Sequence, residues 1–258
     1  MSYFKKTRLK ELFGVTLFVS LFVVSSIVLK IDWILVVTNF SNAINYFISD
    51  YFPLDFSELK LQLLGLVDTI FLAVTGTGIG MIFAFLTALM ISVSTSKNKI
   101  IQTLFRFIAS VFRNVPEGVW AVVLLLSFWF GKFLALLVMI IVSYGFLSRV
   151  FAETIDETNS SSIEALEATG ASFWQIVIHS IIPETLPSLV SWTLYSIENN
   201  IRSATVIGMF AGGGIGHLIG IYKGQMNYPL LLTAALLVTV LVILTDKLSG
   251  IIRRRILS

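Results

Sequence analysis

Glu198, Asn199, Asn200 and Arg202 stand together in "LYSIENNIRSATV", a stretch that is otherwise mostly apolar. A charged side chain at bilayer depth costs about 2.5–3.5 kcal/mol on insertion scales, so such residues face a bundle interior or a wet cavity. Glu198 and Arg202 are four apart and can pair along one helix face. Two readings follow. The pair neutralises itself and Asn200 bonds a neighbouring helix, or Asn200 and Arg202 line the path of an anion, for which guanidinium is a suitable donor. A second cluster, "RNVPEGVWA", repeats the ambiguity. Pro116 has no N–H and disrupts a helix around Arg113 and Asn114, and a kinked span lets side chains into a pore. Arg113 and Glu117 are also four apart and could instead form a pair inside one helix.

Other chemistries are missing. The chain has no cysteine, and its two histidines, His179 and His217, are too far apart in sequence to suggest a metal site. No G-x-x-x-x-G-K-[ST] stretch occurs, so ATP is not held by that loop. No paired aspartates or histidines sit in the apolar runs, which argues against an intramembrane enzyme. No inverted repeat is visible, which argues against a stand-alone secondary transporter.

The elements that must position these residues are membrane spans. Of 258 residues only 13% are charged, against about 25% in soluble domains. Mean hydropathy is +0.90. Uncharged or nearly uncharged runs at 12–29, 61–93, 104–131, 133–148, 185 onward and 228–245 predict an all-α polytopic membrane protein of about six transmembrane helices. The run 12–29 reads as a retained anchor, because no A-x-A site follows it. Residues 32–60, with Trp33, Tyr46, Tyr51, Phe52 and Phe56 among four acids and a break at Pro53, read as an outer interfacial segment. The basic clusters "KKTRLK", "STSKNK" and "RRR" fall on one side of six spans, so both termini are expected in the cytoplasm. Gly76 and Gly80 form a GxxxG suited to close helix packing. Glycines at 208, 212, 216, 220 and 224 form a ladder, for which close packing and an outer-gate loop are both open.

A polar insert interrupts this pattern at about 150–187. Ser161 with Glu164, and Ser172 with Gln175, have capping-box spacing. Gly170 suits the left-handed position past a helix end. Pro183 is expected to stop the second short helix, and Pro187 to open the next span. The insert therefore reads as helix, glycine corner, helix, proline stop. Some of Ile163, Leu166, Phe173, Trp174 and Ile178 would be exposed for a partner.

Glu164, Ala165, Gly170 and Pro183, at these spacings, resemble the "EAA" motif of ABC-importer permeases. Leu166, Ser180 and Ile182 depart from its usual letters. "NIRSATV", "GGGIG", "RNVPEGVWA" and "FAETIDE" resemble permeases of the phosphonate-transporter family, over about Leu61 to the C-terminus. The resemblance implies an extra N-terminal helix with its outer segment at 1–60 and a permease core at 61–258. The four motif residues would then be the coupling site for ATPase subunits. Arg113, Asn114, Glu117, Glu198, Asn200, Arg202 and Ser203 would be path or gate residues. It further implies a transport subunit rather than an enzyme, with no cofactor of its own, in a bacterial cell membrane. The expected partners are a second copy of the permease, two cytoplasmic ATPase subunits and an extracytoplasmic substrate-binding protein, with no nucleic acid. The cargo would be phosphonate or a related phosphorus oxyanion, or another small solute.

Overall fold

The computed structural model describes residues 2–96, 98–157 and 160–257, and among them every regular element is helical. The order is α1 (Ser2–Val28), α2 (Trp33–Tyr51), α3 (Leu59–Ile91), α4 (Lys99–Asn114), α5 (Glu117–Leu125), α6 (Lys132–Asp156), α7 (Ser160–Ala168) and α8 (Phe173–Ile176). A π-helical turn (Val177–Ile181) follows, then α9 (Ile182–Ala211), α10 (Gly214–Gly224) and α11 (Tyr228–Leu257). Four helices are long and apolar enough to cross a membrane, and two bent pairs, α4–α5 and the α9 rod with α10, raise this to six.

The chain forms two compact units, Met1–Phe52 and Pro53–Ser258. In the first, α1 carries the apolar run and α2 the outer segment. Most of that segment, Trp33–Tyr51, folds as a 19-residue helix, capped by Asp32, whose carboxylate accepts from the Leu35 N–H at 3.0 Å. Phe52 is extended, as the residue before a proline prefers, and ends α2.

In the second unit α3 and α6 pack most closely, and small residues make that approach possible. A Cβ added to Gly76 would lie 2.6 Å from Met139 Cβ, and one on Gly80 2.8 Å from Ser143 Cβ. Gly145 does the same for α4: a Cβ there would meet the Arg113 backbone nitrogen at 2.7 Å. The α4–α5 pair bends by 92°. Val115 is extended and Pro116 opens α5 without an N–H to continue α4, which accounts for the corner. Arg113 and Glu117 therefore flank a bend and are not partners within one helix.

At the other end of the bundle Gly212, Gly213 and Gly214 all take positive φ (88°, 99° and 63°), which turns α9 into α10. The Gly131 N–H donates to Ala211 O at 2.7 Å and ties this turn to the α5–α6 connection. Asp68, the one charge in the α3 run, pairs with Lys132 at 2.6 Å. Gly208 and Gly216 are sites of close backbone approach, whereas Gly224 faces open space, so the ladder is a packing device only in part.

The insert differs from its expected form. Pro183 does not stop a helix. The rod is helical from Phe173 to Ala211, and the wider π turn at Val177–Ile181 accommodates the proline ring and its missing N–H. Pro187 likewise lies inside α9 rather than at its start. The Ser172–Gln175 capping box is present, with the Ser172 N–H donating to Gln175 Oε1 at 2.7 Å. The Ser161 side chain of the first box lies outside the described residues. Ile163 is buried and Leu166 and Phe173 are half-buried, packed with Leu89, Phe151 and Ile155. Burying these apolar side chains seats the insert on the bundle. Of the five candidates only Trp174 and Ile178 remain exposed.

Candidate functional site

The α4–α5 corner, α6 and α9 enclose a cavity of about 510 Å³. Arg113, Pro116 and Glu117 reach it from the corner, Val142 and Phe146 from α6, and Tyr195, Ser196, Asn199 and Asn200 from α9. The proline corner brings Arg113 and Glu117 to one mouth, and Gly145 lets the last turn of α4 lie directly on α6. Among the described residues the Arg113 guanidinium has no hydrogen bond or ion pair. A guanidinium without a direct partner, beside amides and Glu117 in a part-apolar cleft, is suited to hold an oxyanion.

Asn200 is 1% exposed and is held firmly. Its amide donates to Thr77 Oγ1 at 2.7 Å and to Ser143 Oγ at 2.6 Å, joining α9 to α3 and α6. The helix-bonding reading of Asn200 is therefore met, at the edge of the cavity. Thr77 and Ser143 are absent from the sequence-derived set. Their signal is faint: small polar residues in apolar runs, close to Gly80 and Gly145.

Glu198 turns away from this cavity. It is 8% exposed, and its carboxylate accepts from Arg202 Nη2 at 3.4 Å and from Arg253 Nη2 at 3.1 Å. The Arg253 contact was not expected, because the C-terminal basic cluster reads only as a topology signal. Two guanidiniums on one carboxylate leave a surplus positive charge, and the Arg202 side chain is 58% exposed. Arg202 lies on one stripe of α9 with Trp192, Tyr195, Asn199, Val206 and Phe210, all of them exposed in the single chain. This stripe runs along the open side of the cavity, since Tyr195 and Asn199 line both. Asn114 stays outside, its amide folded back onto Ser110 O at 2.9 Å. Ser203 is half-buried and does not line the cavity.

The motif residues of the insert are separate from the cavity. Glu164, Ala165, Gly170 and Pro183 are all exposed, at the end of the bundle where α3 and α6 finish. Gly170 has φ +80°, and the Ala171 N–H reaches back to Leu166 O at 3.1 Å, which closes α7. His179 Nδ1 lies 2.9 Å from Gln175 O. Among the described residues no group of His, Asp or Glu is placed to hold a metal ion.

The chain is 29% identical to the phosphite transport system permease protein PtxC of Stutzerimonas stutzeri, over 78% of this chain and 74% of that protein. It is 31% identical to HtxC of the same organism, named for the same kind of system, over 82% of this chain and 75% of that one. The fold superposes on an inward-facing MetNI methionine ABC transporter with a TM-score of 0.68, at 22% identity, over 77% of this chain and 97% of that chain. Residues 76–258 match the family described as the binding-protein-dependent transport system inner membrane component. With well over half of its length inside that match, the chain belongs to this family of ABC-importer permeases.

Proposed function

We propose that the chain is the membrane path for a phosphorus oxyanion, phosphite or a phosphonate, in an importer driven by separate ATPase subunits. The carrying observation is the unpaired Arg113 in the corner cavity, continuous with the exposed α9 stripe that holds Asn199 and Arg202. The names of the phosphite permeases among its relatives support the same cargo.

The exposed stripe needs a partner, because Trp192, Tyr195, Val206 and Phe210 leave apolar area in the open. A second copy of the permease would cover it and close the path between the two α9 helices. Glu117 and Asn200 would flank Arg113, and Ser203 would stand beside Arg202. Asn114 would position the last turn of α4 through Ser110. Residues 1–60 would be an anchor and outer segment added to a core at 61–258. Both termini and the insert would face the cytoplasm, and a binding protein would deliver the anion from outside. Trp174 and Ile178, exposed beside Glu164, Ala165, Gly170 and Pro183, would dock on the ATPase pair.

A second reading is a permease for a neutral or zwitterionic solute, supported by relatives named as methionine transport permeases. Uptake assays decide between them. Proteoliposomes holding the permease, its ATPases and its binding protein should take up phosphite or methylphosphonate with ATP, and Arg113→Ala should abolish this while the complex still assembles. Uptake of methionine alone, or full phosphite uptake in Arg113→Ala, sinks the oxyanion path.

A further inference from the structure

A second cavity, of about 420 Å³, lies between α4 and α6 on the side of the insert. It is lined by Arg106, Ser110 and Arg113 from α4 and by Arg149, Glu153 and Asp156 from α6. Three guanidiniums and two carboxylates leave this small cleft with a net charge of +1, which favours an added anion. The two carboxylates do not neutralise all of them. Glu153 is engaged by Arg149 Nε at 2.6 Å. Asp156 accepts from Ser92 Oγ at 2.6 Å and from the Ser94 N–H at 3.1 Å. Arg106 spends one N–H on Ile91 O at 3.3 Å, and Arg113 has no partner among the described residues.

The two cavities are consecutive. On α6, Val142 and Phe146 line the first, and Arg149, Glu153 and Asp156 line the second. Spacings of 4, 3, 4 and 3 put all five on one helix face, which spans about 21 Å at 1.5 Å per residue. Arg113 belongs to both. On α4, Arg106 is seven residues, or two turns, before Arg113 on the same face.

We propose that the cavity of Arg106, Arg113 and Arg149 is a second binding site for a phosphorus oxyanion, through which the anion leaves toward the side of the insert. Arg113 is the shared ligand: it swings from the corner cavity to the exit cavity, and Arg106 and Arg149 receive what it delivers. Bound anion also offsets the net positive charge of the cleft, and the exit site fills from the insert side when the anion accumulates there. This rests on the oxyanion reading of the path above.

The cysteine-free sequence supplies the test. In the full complex, in neutral detergent, Ser110→Cys places the permease chain's one thiol in the exit cavity, and Asn199→Cys places it in the corner cavity, with modification read on the permease band. The rate of modification by a small methanethiosulfonate is followed with inorganic phosphite added. At about ten times its dissociation constant, phosphite should slow the Ser110→Cys reaction about tenfold. Arg106→Gln and Arg149→Gln should remove this protection and leave that at Asn199→Cys intact. Arg106→Lys, which keeps the charge, should retain part of it and checks that the fold survives.

Protection at Asn199→Cys alone overturns the exit site and spares the path. Protection at neither position overturns both. Protection at Ser110→Cys that survives both glutamine variants overturns the arginine assignment. Repeating the reaction in phosphatidylglycerol nanodiscs without phosphite separates the sources of phosphate. A thiol already slow there marks a lipid headgroup as occupant and overturns the free-anion site, whereas a fast thiol slowed only by phosphite supports it.

Discussion

Arg253 Nη2 lies 3.1 Å from Glu198 Oε2 and joins residues 55 apart in sequence, locking the end of α11 to the middle of α9. Glu198 is thus compensated without Arg202. The local i, i+4 pair, at 3.4 Å with an exposed arginine, is the weaker of the two contacts.

The two arginines should therefore separate by readout. Arg253→Ala should cost up to about 3 kcal/mol of stability, the lower end for a broken buried pair because Arg202 remains. Arg202→Ala should cost under about 1 kcal/mol, as exposed pairs do. On the path reading Arg202→Ala still abolishes uptake, and Arg202→Lys keeps some. Thermal melting of the complex and uptake in proteoliposomes measure both. Normal uptake in Glu198→Gln with Arg202→Gln would remove Arg202 from the path.

Gly170→Val should leave insertion intact and weaken coupling. The position has φ +80° with open space around it, so the penalty is backbone strain of about 1–2 kcal/mol and not a clash. Relaxing that strain re-aims the chain between α7 and α8. Co-purification of the ATPase subunits should fall, and wild-type transport in this variant would show that the corner has no coupling role.

Gly145→Ala should harm transport more than assembly. The added methyl meets the Arg113 and Phe112 backbone and pushes the last turn of α4 off α6, at about 1–3 kcal/mol for overpacking. Arg113 moves with it. Phosphite uptake should drop at least as far as in Gly76→Ala, which meets the Met139 side chain instead. Equal uptake in Gly145→Ala and wild type would mean that the α4 position is not critical.

Asn200→Ala should destabilise by about 1–3 kcal/mol, since Thr77 and Ser143 lose their shared donor in a buried site. Thr77→Val added to it should cost little more, because the pair acts as one network. Additive losses in melting experiments would contradict that coupling.

Orientation is open to a direct measurement. In intact cells, Met226→Cys, in the exposed turn between α10 and α11, should react with an impermeant thiol reagent. Glu164→Cys, exposed on the insert, should not. The reverse pattern would overturn the placement of the insert in the cytoplasm and its coupling role together.

The spans were legible because their signal is local: long apolar runs bounded by charge need no knowledge of neighbours. Gly170 and the Ser172–Gln175 box were legible for the same reason, as caps act within one turn. Pro183 was not. A proline read alone predicts a stop, but the buried face of Val177, Ser180 and Ile181 holds the rod together through a π turn. Ile163 reads as a candidate contact for a partner and is buried against the bundle instead.

Arg113, Glu117 and Asn200 stood out in the sequence as polar residues in apolar surroundings, which identifies them without placing them. Their meeting in one cavity depends on the 92° corner and on Gly145, and helix docking is set by contacts far apart in sequence. The same holds for Thr77 and Ser143 on Asn200, and for Arg253 on Glu198. The amino-acid sequence alone determined the apolar spans, the Gly170 corner, the Ser172–Gln175 cap and which polar residues interrupt the apolar runs. Only tertiary packing decided which of those residues share a cavity, because long-range pairing follows from how helix faces bury one another and not from spacing along the chain.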